Sequence, residues 1–169
     1  MQALAAPPAR VWQALLDAGT LQRSIPGCEA LAQTRPDAYE ARVRVGLGPL
    51  SVRFKTQVLL RDPQPPEALS LVFEGQAGAL GSGRGMARVR LEPLHDGRTR
   101  LHWRVQVQLG GRLAQFGSRL VEATARELAG EFFERLGQAL QAADARGAAT
   151  APLSWWRRLL RRFLPRAGP

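Results

Sequence analysis

The run Gly110–Leu140 reads GGRLAQFGSRLVEATARELAGEFFERLGQAL and contains no proline. Leu113, Phe116, Leu120, Thr124, Leu128, Phe132, Leu136 and Leu140 return at steps of three and four, the period of one apolar face of an α-helix. Arg119, Glu122, Arg126, Glu127, Glu131, Glu134 and Arg135 fall largely on the other face. At about 1.5 Å per residue such a helix is roughly 45 Å long. Its apolar stripe needs a broad partner surface, and the preceding residues are patterned to supply one.

Those residues alternate. Tyr39, Ala41, Val43 and Val45 face one way and Arg42 and Arg44 the other. After a turn at Gly46–Pro49, Val52, Phe54, Thr56 and Val58 oppose Arg53, Lys55 and Gln57. The prolines of Asp62–Pro66 predict a loop. Leu69, Leu71 and Phe73 then alternate with Ser70, Val72 and Glu74. Ala87, Val89 and Leu91 alternate with Arg88 and Arg90, and a turn follows at His95-Asp96-Gly97. Leu101, Trp103, Val105, Val107 and Leu109 oppose His102, Arg104, Gln106 and Gln108. Earlier, Pro7-Pro8 open a short helix carrying Val11, Trp12, Leu15 and Leu16; Thr20–Ile25 predicts another, stopped by Pro26-Gly27, and Leu31–Thr34 begins a strand. The expected fold is α+β: a curved antiparallel meander, apolar on one face, gripping one long C-terminal helix. One helix does not fill such a sheet everywhere, which predicts a cavity between them.

The totals narrow the function. The chain has 169 residues, 45% of them hydrophobic, and a net charge of +10. Lys55 is the only lysine, so the basic excess is almost all arginine, and it favours acidic partners. Cys28 is the only cysteine and His95 and His102 the only histidines, so no disulfide and no metal-ligand spacing is present. A cysteine nucleophile needs a base; the pattern puts His95 in a turn and His102 on the outer sheet face. The glutamates of the long helix lie on its solvated face. No catalytic residue is therefore expected. The N-terminus lacks a signal-peptide pattern and no run of 18 apolar residues occurs, which makes the cytoplasm the default expectation.

The chain divides into a helix-grip domain at 1–142, an Ala-rich linker at 143–153 and a basic tail at 154–169. The tail, SWWRRLLRRFL at Ser154–Leu164, places Trp155, Trp156, Leu159, Leu160 and Phe163 on one helical face. Arg157, Arg158, Arg161 and Arg162 occupy the opposite face. Tryptophans at headgroup level, apolar residues beneath and arginines toward anionic phosphate make an in-plane membrane helix. The competing reading is a partner-docking or disordered tail. Nucleic acid is a poorer fit, because two adjacent tryptophans beside a Leu-Phe face exceed what phosphate contact needs.

Four motifs carry a resemblance: IPGCE at Ile25–Glu29, the turn Gly48-Pro49, Gly83-Arg84-Gly85, and above all GGRLAQFGSRL at Gly110–Leu120. Together they resemble the carbon monoxide dehydrogenase CoxG family of the START/Bet v1-like (SRPBCC) superfamily, over roughly residues 7–140. The family opens with a full strand before the Pro-Pro helix; here only Met1–Ala6 is available for it. The resemblance implies a non-catalytic factor that docks molybdenum hydroxylases of the carbon monoxide dehydrogenase type on the inner face of the cytoplasmic membrane. It also implies a hydrophobic cavity for a lipophilic molecule such as a quinone or lipid, with no covalently bound cofactor. Rival readings of the fold are a cyclase- or hydrolase-like cavity enzyme and a ligand-free structural adaptor.

The residues expected to face the cavity are Val43, Phe54, Leu71, Phe73, Val89, Trp103 and Val105 from the sheet, and Leu113, Phe116 and Leu120 from the helix. An ordinary filled core would use the same residues. The glycine-rich stretch Gly75–Gly85, with Gly78, Gly81, Gly83 and Gly85, lacks the lysine and the strand-to-helix setting of a phosphate loop. It is expected to be a lid over the cavity mouth or a plain flexible hairpin. Arg42, Arg44, Arg53, Lys55, Arg88, Arg90 and Arg104 form a basic outer sheet face, read either as solubility or as a surface for an acidic protein or anionic membrane.

Overall fold

A computed structural model describes residues 1–150, with side chains through Arg146. The tail with Trp155, Trp156 and Arg157–Phe163 lies outside the described residues. The chain begins with β1 (Gln2–Leu4), α1 (Pro8–Leu16) and α2 (Ala18–Ser24). A meander follows: β2 (Cys28–Arg35), β3 (Ala38–Leu47), β4 (Leu50–Gln64), β5 (Ala68–Gln76), β6 (Ser82–Pro93) and β7 (Thr99–Gly110). A 3-10 turn at Gly111–Phe116 leads into α3 (Gly117–Thr150). The strands form one antiparallel sheet in the order β1-β7-β6-β5-β4-β3-β2. All three helices lie against its apolar face.

The alternation places every strand as its period predicts. Tyr39, Ala41 and Leu47 are buried while Glu40, Arg42 and Arg44 are exposed. The short first strand pairs with β7 from Thr99 to Leu101, and Leu4 is buried. Thr99 Oγ1 donates to the Ala6 carbonyl at 2.7 Å, which closes that corner.

Four boundaries differ from the sequence reading. The long helix does not start at Gly110. Gly111 and Gly117 both have positive φ, 67° and 76°, so the chain turns twice before the helix begins. At its other end α3 runs to Thr150, through most of the expected linker, because alanine is the strongest helix former. The Asp62–Pro66 segment continues β4 to Gln64 through a bulge between Arg61 and Gln64, with Asp62 at φ 46°. The glycine-rich stretch is mostly sheet: Gly75 belongs to β5, and Gly83 and Gly85 to β6. Only Gly78 and Gly81 stand at the turn, on a 3-10 segment Gly78–Leu80.

The core has two packed ends. At one, Leu4, Val11, Trp12, Leu15, Leu91, Leu101, Phe133, Leu136 and Leu140 join β1, α1, the sheet and α3. At the other, Leu47, Val52 and Leu113 pack with Phe54, Leu80, Leu109 and Phe116.

Candidate ligand cavity

Between these ends lies a cavity of about 360 Å³. Its sheet wall includes Val43, Phe54, Leu71, Phe73, Val89, Trp103 and Val105; α1, α2 and the next loop add Leu15, Leu16, Leu21, Ile25 and Pro26. The helix wall is Val121, Thr124, Ala125, Leu128, Ala129, Phe132 and Phe133. Small residues occur on both walls: Ala125 and Ala129 on α3, and Gly75, Gly83 and Ala87 on the sheet.

The three helix-side residues expected from the sequence are elsewhere. Leu113 and Phe116 sit in the 3-10 turn and fill the second packed end. Leu120 lies by the β3–β4 turn, where a Cβ on Gly48 would meet it at 3.9 Å. The Leu113-Phe116 spacing of three fits a 3-10 turn as well as an α-helix, and Gly117 resets the phase before α3 begins. The helix wall combines Thr124, Leu128 and Phe132 of the predicted stripe with Val121, Ala125, Ala129 and Phe133, each one position further along.

The glycines have a steric reason. Phe73 on β5 stands directly opposite Gly85 on β6, and a Cβ on Gly85 would be 2.5 Å from Phe73 Cζ. A Cβ on Gly75 would lie 3.2 Å from Phe54 Cδ1, and one on Gly83 3.6 Å from Phe54 Cε1. The two rings that shape this wall therefore lie over backbone that carries no side chain. Gly27 of the IPGCE motif is equally constrained: its φ is 71°, and a Cβ there would collide with the Arg44 carbonyl. That turn brings buried Pro26 to the wall.

The cavity is almost wholly apolar. Its polar members are Tyr39, Thr56, Thr124 and Arg104, and the Arg104 side chain is on the exposed outer face. Tyr39 Oη donates to the Leu16 carbonyl at 2.7 Å, tying β3 to the end of α1. Burial, and secondarily the Asp17 charge, push this phenol above its ordinary pKa, so it stays a donor. The Thr56 and Thr124 hydroxyls have no hydrogen-bond partner among the described residues.

No catalytic set converges here. Cys28 is half-buried on β2, and its thiol donates to the Ala30 carbonyl at 3.4 Å. Burial first, then Glu29, raises its pKa against that hydrogen bond, the wrong direction for a nucleophile. His102 Nε2 is 3.0 Å from Glu92 Oε2 on the outer face of β6 and β7, across the sheet from β2. Among the described residues no cluster of three His, Cys, Asp or Glu suits a metal, and no helix is long and apolar enough to cross a membrane.

Residues 2–141 match the family model for the CoxG subunit of carbon monoxide dehydrogenase. No curated protein matches the chain. Among solved structures, a conserved protein from Geobacillus kaustophilus is 25% identical with a TM-score of 0.77, over 84% of this chain and 93% of that one. A START superfamily protein from Mycobacterium smegmatis is 15% identical with a TM-score of 0.64, over 84% and 94%. The Zhui aromatase/cyclase from Streptomyces sp. R1128 is 17% identical with a TM-score of 0.58, over 83% and 90%. The last two likenesses show a shared START-like fold and nothing about activity.

Proposed function

The chain belongs to the carbon monoxide dehydrogenase CoxG family, a family of accessory rather than catalytic subunits, and from that premise we propose that it serves a molybdenum hydroxylase as a carrier of an apolar ligand. The cavity is the observation that carries this reading. At about 360 Å³ it falls in the range of small-molecule sites, and its aliphatic and aromatic wall suits a lipophilic ring. Thr56 and Thr124 offer two free hydroxyls on otherwise apolar walls, enough to hydrogen-bond a carbonyl of a quinone. The wall carries no carboxylate and no imidazole among the described residues, which disfavours a cyclase- or hydrolase-like role.

The second half of the proposal concerns place. The amphipathic pattern of Ser154–Leu164 supports a reversible tether to the inner face of the membrane. Each arginine adds about 1 kcal/mol near an anionic surface. The tether brings the cavity to the bilayer, an apolar redox carrier enters it, and the enzyme exchanges electrons with that carrier. Two measurements test the two halves. Flotation with anionic liposomes is expected for the intact chain and not for a chain truncated at Ser154; equal flotation removes the tether. Native mass spectrometry with added short-chain quinone is expected to give a one-to-one adduct that Ala125→Trp abolishes. No adduct with the wild-type chain removes the carrier.

A further inference from the structure

The outer face of the sheet carries two adjacent rows that neither the cavity nor the tail accounts for. Cross-strand register makes the first row Arg104, Arg88, Ser70 and Arg61, on β7, β6, β5 and β4. The row beside it, one pleat along, is Gln106, Met86, Val72 and Leu59. Met86 is 38% exposed, and Val72 and Leu59 are half-buried on the face away from the cavity. An apolar strip thus borders an arginine row on open sheet.

The charge arrangement is costly in isolation. Arg88 stands directly opposite Arg104, and like charges so placed repel. Elsewhere the fold neutralises such a pair. Arg44 faces Arg53, and Glu29 Oε1 takes both guanidiniums, at 3.2 Å and 3.1 Å. Arg61, Arg88 and Arg104 have no ion pair among the described residues.

We propose that this face docks an acidic protein surface, which sets apolar side chains on Leu59, Val72 and Met86 and carboxylates on Arg61, Arg88 and Arg104. Met and Arg are the side chains enriched where proteins meet, and guanidinium forks match carboxylates. A second copy of the chain meets it only with the two-fold axis along the apolar strip, because an axis across the strip sets arginine row on arginine row. An anionic bilayer fits less well. The far border of the apolar strip is of mixed charge, with Arg84, Glu74 and Glu40 in one row, which a protein of patterned charge can match and a uniformly anionic bilayer cannot.

The proposal rests on the accessory reading above and assigns the partner in it to this face. The test uses the full chain, the purified molybdenum hydroxylase of the carbon monoxide dehydrogenase type, and vesicles containing phosphatidylglycerol. Arg61→Glu/Arg88→Glu/Arg104→Glu and Met86→Asp are each expected to weaken enzyme binding at least about tenfold, as for central interface residues. Flotation with the vesicles should be unchanged. Arg88→Gln relieves the repulsion, so it should melt no lower than wild type yet bind several-fold more weakly; this separates docking from folding. Wild-type strength in all these variants overturns the assignment and leaves the accessory reading intact. No enzyme binding by the wild-type chain overturns both. Lost flotation with intact enzyme binding overturns it in favour of a membrane-facing sheet.

Discussion

Phe73 and Gly85 face each other across β5 and β6, and the Phe73 ring occupies the space a side chain at Gly85 would take, 2.5 Å from its Cβ position. Gly85→Ala is therefore expected to cost about 1–3 kcal/mol by overpacking, read from urea unfolding. Removing the ring does not restore the loss. The Gln106 carbonyl oxygen crowds the same position, so Phe73→Ala/Gly85→Ala should remain less stable than Phe73→Ala. Gly46 is the control: nothing lies within 4 Å of its Cβ position, and Gly46→Ala should be neutral or slightly stabilising.

Asp17 caps α2 by accepting from the Thr20 N–H at 2.8 Å and the Thr20 hydroxyl at 2.7 Å. Asp17→Ala is expected to cost about 0.5–2 kcal/mol at neutral pH, the usual range for a lost cap. The Thr20 hydrogen bonds lower this carboxyl below its ordinary pKa of 3.8. A lowered native pKa gives stability that is present above that ordinary value and lost as pH falls through the native one. Thermal melts of Asp17→Ala and wild type should therefore converge on acidification, and a constant gap would contradict the cap.

Tyr39→Phe deletes the hydrogen bond to the Leu16 carbonyl and is expected to cost about 0.5–1.5 kcal/mol near neutral pH. The Tyr39 phenol has a raised pKa, so the sign is opposite to that of Asp17. Its contribution is complete below the ordinary value of 10.0 and is lost as pH rises through the native one. Denaturation curves collected from pH 8 to about pH 11 should fall more steeply for wild type than for Tyr39→Phe.

The Ser24 hydroxyl is fully buried and has no hydrogen-bond partner among the described residues. Burying a hydroxyl unpaired costs about 1–3 kcal/mol in mutational series. Ser24→Ala should therefore raise the melting temperature. A drop would mean that the hydroxyl has a bonding partner such as water.

Ala125 and Ala129 keep the helix wall set back from the sheet. Ala125→Trp is expected to fill the cavity, changing stability by no more than about 1–3 kcal/mol while removing quinone-induced stabilisation. The check is a thermal-shift titration of both proteins with one short-chain quinone. Equal shifts would place the ligand outside the cavity.

The strands were legible because period-two patterning reports burial directly, and from Tyr39 to Leu109 no strand face is inverted. The seven sheet-side cavity residues followed from that parity. Three features were not legible. Glycines have no side chain to reveal which face they occupy, so Gly83 and Gly85 read as loop although they pair with Leu109 and Val107. The cause is a ring on the neighbouring strand, a relation that appears only once register is known. The helix start was hidden because Leu113 and Phe116 keep a spacing common to both helix types, while the phase change rests on the φ of Gly117 alone. Alanine-rich residues after Leu140 read as linker, although their propensity favours the helix they form.

On β6 the chain reads Gly83-Arg84-Gly85-Met86-Ala87-Arg88-Val89-Arg90. Odd positions look toward the cavity and even ones toward the open face. Two separate demands are thus interleaved letter by letter along one strand. Point substitutions change one face of the strand without the other, so the cavity lining and the outer face can drift separately. A single-residue insertion or deletion is different: it exchanges the two alphabets at once, sending arginine inward and glycine outward. Lineages of this fold should therefore vary more readily in the letters of β6, Gly85 apart, than in their number.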